Sequence, residues 1–167
     1  IPVIKNVDYV DLGLLMNKHV GEELFKKDQY YLYRTGGVNR WVDDGAVYPF
    51  IKNNETGNIR MPTLMSGEGS YPRINLQNGD NRRKFSMHKM VALAFIENPD
   101  PKNKVLVDHV NHNVYDYKIS NLRWLSHKEN SIHGSKGKKV DPLERWNYYS
   151  KKDWFKEDKT LSQLLQE

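Results

Sequence analysis

Cysteine is absent from the 167 residues. That excludes disulfides and thiolate zinc sites, so any metal must be held by His, Asp, Glu, Asn, a backbone carbonyl or water. Long hydrophobic runs are missing too. Stretches such as Met90 to Ile96 fall far short of the ~20 apolar residues that cross a bilayer. The opening Ile1-Pro2-Val3-Ile4-Lys5 lacks the charged-then-apolar layout of a secretory signal. A cytoplasmic location with no membrane partner is therefore expected. Internal repeats and low-complexity tracts are also absent. One domain with short appendages fits the length, and such a chain can bury a core without covalent staples.

The net charge is +5, and it is unevenly spread. Residues 34–104 carry eleven basic and seven acidic groups, and residues 118–139 carry six basic and one acidic. The two ends, 1–28 and 140–167, are each at −1. A basic middle of this kind attracts phosphate backbones, although a solvated Lys/Arg surface has the same composition.

Four segments are legible. Residues 1–28 hold a helical stripe (Leu12, Leu15, Met16, Val20) broken near Gly21, and their role is unknown. Residues 29–85 read as a strand-rich, DNA-contacting region. Tyr30–Tyr33, Ala46–Ile51 and Tyr71–Leu76 are β-prone, separated by turn chemistry at Gly36-Gly37, Asn53–Gly57 and Asn78–Asn81. Arg34, Arg40, Arg60, Arg73, Arg82, Arg83 and Lys84 lie on or between these strands and are the candidate DNA contacts there. The interleaved aromatics are mostly core. Residues 86–139 open with a helix that Ser86 can cap and that Asn98-Pro99 stops. It carries His88 and Lys89 in its first turn and serves mainly as packing. The last segment, 140–167, looks helical from Asp141-Pro142-Leu143-Glu144 onward.

The chemistry concentrates between Val105 and His133. Val105-Leu106-Val107 leads as a strand into Asp108-His109. A polar loop follows, then a second strand from Asn121 to Leu125. Ser126-His127-Lys128-Glu129 is a capping box that starts a helix at His127, and Gly134 supplies its stop. Asn130 and His133 share a face of that helix with His127. A carboxylate and an imidazole at a strand end thus stand opposite an amide and two imidazoles on a helix. Phosphodiester hydrolysis suits such a set. A hard divalent cation takes oxygen ligands, which Asp108 and Asn130 offer. An attacking water needs a base near neutral pH, and imidazole is one. With a single carboxylate and no thiol, Mg²⁺ (or Mn²⁺) is expected rather than structural zinc.

Residues 84–133 resemble the HNH endonucleases, in the branch found among phage and intron homing enzymes. The resemblance rests on Met87–Ile96, Asn98-Pro99, Val107-Asp108-His109, Asn113, Ser120–Trp124 and Lys128-Glu129-Asn130. It implies an α+β chain: a small antiparallel N-terminal sheet, a ββα-metal motif and C-terminal helices. It further implies Asp108 and Asn130 as metal ligands, His109 as general base and Asn121 as the residue that fastens the loop and orients His109. His133 and His127 are further candidates for a ligand or phosphate contact. Arg123, Lys136, Lys138 and Lys139 extend the candidate DNA-binding set. The implied activity is metal-dependent cleavage of DNA, double-stranded by expectation, to 5′-phosphate and 3′-hydroxyl ends. A homing-type, phage-derived enzyme would work in a host bacterial cytoplasm, and a monomer, favoured over a dimer, would nick. The alternatives are a catalytically weak DNA-binding module on the same fold and an RNA-cutting nuclease. Two positions depart from the family pattern. His112 stands where glycine is usual, which calls for a positive φ. Asp116-Tyr117 stands where two asparagines are common.

Overall fold

A computed structural model describes residues 2–64 and 71–133, except for the side chain of His133. Lys136, Lys138, Lys139, the Gly134 stop and the helices expected in 140–167 lie outside the described residues.

The first sheet has four antiparallel strands in the order β1 (Tyr9–Asp11), β2 (Tyr30–Gly37), β3 (Tyr48–Asn53) and β4 (Ile59–Arg60). Side chains alternate along β2, as the pleat demands. Tyr30, Leu32 and Arg34 point inward and are buried, while Tyr31 and Tyr33 lie on the outer face. There Tyr31 and Tyr33 pack with Tyr9 and Phe50 at ring separations of 4.7 to 6.3 Å. Between β1 and β2 runs α1 (Leu12–Val20). Asp11 caps it, its Oδ1 accepting from Leu14 N at 3.1 Å, and Gly21 ends it in the left-handed region at φ +76°. Leu12 and Met16 of the expected stripe are buried. Val20 is 42 % exposed and lies off the core, because the apolar face is completed instead by Gly13 against Phe25.

A separate hairpin follows, β5 (Arg73–Asn78) with β6 (Asn81–Ser86). The Tyr30 hydroxyl ties it to the first sheet. It donates to Gln77 O at 2.8 Å and accepts from Gln77 N at 3.1 Å. The region therefore contains a sheet and a hairpin rather than one small sheet, and its first strand comes from residues before 29.

The middle of the core is α2 (Met87–Phe95), with Met87, Met90, Val91, Ala92, Ala94 and Phe95 all buried. Two details differ from expectation. Ser86 occupies the N-cap position without a side-chain cap bond. The helix ends at Phe95, before Asn98-Pro99, because the N-terminal segment pairs with its exit. Lys5 N donates to Phe95 O at 2.7 Å, Glu97 N donates to Val3 O at 2.8 Å, and Ile4 bridges Ile96. Ile96 is consequently extended at φ −111°.

Candidate active site

On the platform of α2 sits a two-stranded ladder, β7 (Leu106–His109) with β8 (Leu122–Leu125), followed by α3 (His127–His133). The capping box forms as read. Ser126 Oγ accepts from Glu129 N and Glu129 Oε1 accepts from Ser126 N, both at 3.1 Å. Lys104 adds a charged contact to the Glu129 carboxylate at 3.0 Å. Trp124 is core, its Nε1 donating to Ile96 O at 3.1 Å. Strand, loop, strand and helix thus follow one another as the sequence indicates.

Asp108 lies opposite Arg123 across the ladder. Arg123 Nε and Nη2 each reach Asp108 Oδ2 at 3.0 Å. Oδ1 of the same carboxylate accepts no bond from a described residue. His109 closes β7 and is 8 % exposed. Burial, with His88 and His112 nearby, holds its pKa well below the usual imidazole value, so the ring is neutral at pH 7. Its Nε2 is buried without a partner. Asn130 is exposed on α3, which packs along β7 and β8. No hydrogen bond joins Asp108, His109 and Asn130 directly. His127 is exposed at the start of α3.

Asn121 ends a one-turn 3-10 helix, Ile119–Asn121, and is 1 % exposed. Its Oδ1 accepts from Asn111 N at 3.0 Å, and its Nδ2 donates to Asn111 Oδ1 and Asp116 O, both at 2.9 Å. It fastens the loop that follows His109, and its backbone bonds to the next residue along, Val110 N donating to Asn121 O at 2.8 Å. His112 takes φ +61°, the conformation the family's glycine would supply. Asp116 is fully buried. Its carboxylate accepts from Asn111 Nδ2 at 3.0 Å and lies 3.3 Å from Lys118 Nζ. Lys118 also reaches Asp44 at 2.7 Å, and the Tyr48 hydroxyl donates to the same carboxylate at 3.1 Å. Asn39 Nδ2 donates to Tyr115 O at 2.7 Å. Residues 39–48 of the sheet region are thereby bolted to the site loop.

The cations expected on the DNA side divide into two groups. Arg34 is buried, with Nη1 on Asn6 and Nη2 on Asp8, and belongs to the wall between β2 and the N-terminus. Arg60 donates to Asn75 O at 2.8 Å and braces β4 on the hairpin. Arg73 lies over the Tyr71 ring at 4.6 Å, and Arg123 is committed to Asp108. Arg40, Arg82, Arg83 and Lys84 are exposed. The last three are consecutive on β6, where Arg83 approaches Glu22 at 3.5 Å.

No protein-family model matches the chain. Two proteins of Acanthamoeba polyphaga mimivirus named as HNH endonucleases do. One is 34 % identical over 84 residues, half of this chain, and the other 33 % identical over 63 residues, 38 % of it. A solved structure concerning DNA binding and cleavage by the HNH homing endonuclease I-HmuI superposes with TM-score 0.55 and 18 % identity, covering 86 % of this chain and 67 % of that one. Up to half of the chain is thus similar in sequence to proteins named as HNH endonucleases. The chain spans about a fifth of the length of the mimivirus proteins, and the structural likeness carries the fold. Within residues 105–133, Asp108 and Arg123 are brought together, as are Asn121 and the site loop. Asn130 stands alongside on α3.

One neighbour of the site was not singled out by sequence. His88 of α2 lies with its ring 4.6 Å from that of His109. Burial, Lys89 and Arg73 lower its pKa to about 4. A lone histidine in the first turn of an apolar helix carries no signal of that contact, because the partner is twenty-one residues away. Both imidazoles are depressed, so the unfolded chain takes up protons first. Their stabilising effect is complete above the ordinary imidazole pKa of about 6.5 and is lost as pH falls toward 4. Urea denaturation at pH 7.5 and pH 4.5 is expected to show a loss of about 2–3 kcal/mol from His88 alone. That loss should shrink in His88→Gln. Equal stabilities of the parent chain at the two pH values would contradict this.

Proposed function

We propose that the chain is a divalent-metal-dependent DNA endonuclease that hydrolyses phosphodiester bonds to 5′-phosphate and 3′-hydroxyl ends. The observation that carries the proposal is a buried His109 beside an Asp108 carboxylate of which one oxygen takes no bond from a described residue, at the end of a ββα unit. A neutral imidazole can take a proton from water at pH 7, which a protonated one cannot.

The residues present fit a hard cation. Among the described residues no group of three His, Cys, Asp or Glu side chains gathers. One carboxylate with one amide suits an ion such as Mg²⁺ or Mn²⁺ that keeps most of its waters and completes its shell with substrate phosphate. Asp108 Oδ1 and the Asn130 side chain would hold it. When bound, the ion supplies positive charge for the phosphate and the leaving 3′ oxygen. His109 accepts the proton of the attacking water. Asn121 and Asp116 keep the loop rigid behind it. Arg82, Arg83, Lys84 and Arg40, all exposed, supply backbone contacts to duplex DNA, with Lys136, Lys138 and Lys139 as further candidates.

The expected product of a monomer is a nick, and a homing role in a phage-derived, cytoplasmic setting follows the family branch. The test is conversion of supercoiled plasmid to open circle in Mg²⁺ and its arrest by EDTA. Asp108→Ala is expected to weaken Mn²⁺ binding in calorimetry by more than about 100-fold. Unchanged Mn²⁺ heats in that variant would remove Asp108 from the metal site. One observation favours a second reading, a DNA-binding module without activity: the Arg123 guanidinium already neutralises Asp108. Under that reading the parent chain shows no Mn²⁺ heat at all.

A further inference from the structure

The described residues contain four buried side-chain nitrogen or oxygen atoms without a partner, and two of them belong to adjacent rings, His88 Nδ1 and His109 Nε2. An orphaned buried donor or acceptor costs about 1–3 kcal/mol. An aromatic hydrocarbon in place of His88 would fill the same space between Tyr71, whose ring meets it edge-on at 5.1 Å, and His109 without that cost. The two orphans are complementary, since one ring can donate where the other accepts.

We infer that His88 is a positioning residue, whose Nδ1 is the acceptor that His109 Nε2–H reaches across one buried water, and so fixes the tautomer of the general base. This rests on the functional reading of His109 above, but the tautomer itself can be measured without any cleavage. A neutral imidazole carries one proton, and the hydrogen bond made by one nitrogen decides where the other lone pair is left. With the proton held on Nε2 toward α2, the lone pair of His109 is left on Nδ1. That is the atom not sealed in the protein interior as an orphan. Arg73 and Lys89 act in the same sense, because both disfavour a proton on His88 and keep its acceptor available. Asn121 does not perform this task, as its three side-chain bonds all go to Asn111 and Asp116.

The direct test is long-range ¹H–¹⁵N correlation spectroscopy on the full chain with labelled histidine at pH 7.5. The expected result is a His109 ring protonated at Nε2. In His88→Phe, which keeps the ring volume, the signal shifts toward a mixture of tautomers, and in His88→Gln, which keeps an acceptor, the parent signal returns. Cleavage gives a second readout. His88→Phe is expected to lower kcat about 10- to 100-fold, with KM and Mn²⁺ affinity retained, and His88→Gln to recover most of the loss. A parent His109 protonated at Nδ1, or an unchanged Nε2–H signal in His88→Phe, overturns the inference. An Nε2–H signal lost in His88→Phe, in a chain that cuts no DNA, upholds the positioning and sinks the nuclease reading instead.

Discussion

His109→Ala is expected to lower the rate of plasmid nicking by about 10²- to 10⁴-fold, the range a positioned general base contributes. DNA affinity should stay within a few-fold of the parent. The exposed cations on β6 and Arg40 are left unchanged by the substitution. The comparison requires single-turnover cleavage in Mg²⁺ with filter binding in Ca²⁺. A far-ultraviolet spectrum will confirm that removing an 8 % exposed ring has not unfolded the ladder. Nicking by the variant at the parental rate would assign the proton transfer to some other group. A matched loss of binding and cleavage would mark His109 as structural.

The second large effect concerns Asn121. Replacing it by alanine removes three side-chain hydrogen bonds inside the fold and strands Asn111 N and Asp116 O away from water, while Asn111 Oδ1 keeps its bond from Asn113 N. Each buried group left without a partner costs about 1–3 kcal/mol, so a loss of about 2–5 kcal/mol is expected, large against typical single substitutions. Urea titration reads it as a lower midpoint. Asn121→Asp keeps the oxygen that accepts from Asn111 N but brings a second carboxylate beside Asp116, itself already disfavoured as an anion by burial. It should therefore not rescue. A change below about 1 kcal/mol in the alanine variant would mean that the loop holds its shape without this residue.

Strand, loop, strand and helix of the ββα unit were legible because each carries local chemistry: a β-branched run, a capping box, and an asparagine at the turn. The positive φ at His112 followed from the glycine it replaces. What escaped was decided at a distance. The strand β6 reads Asn-Arg-Arg-Lys-Phe-Ser, with one apolar residue in six and four exposed in a row, so no alternation marks it. Its only local sign is the tight connection through Gly79 at φ +60°, which forces the chain after it to pair with β5. β1 is three residues long and exists because β2 offers an edge. The end of α2 was placed too late because Val3 and Lys5, almost a hundred residues upstream, take its exit. Arg34 is the same lesson on the charged side. Its place in a β-prone run says nothing of the Asn6 and Asp8 that bury it. At the site, Asp108 and His109 were visible, whereas the Arg123 pairing and the His88 ring depend on cross-strand register and helix docking.

The bolts between residues 39–48 and the loop after His109 have a geometric consequence. Asn39 on Tyr115, Asp44 on Lys118 and Tyr48 toward Asp116 join the β2–β3 connection of the first sheet to the loop after His109. On the proposed reading, an enzyme whose gripping surface hung from a loose tether would scatter its incisions over several neighbouring bonds. On that same reading, the span from Arg40 to the loop is a caliper of set opening, and the offset between the bases it holds and the bond broken would be one constant number of nucleotide steps.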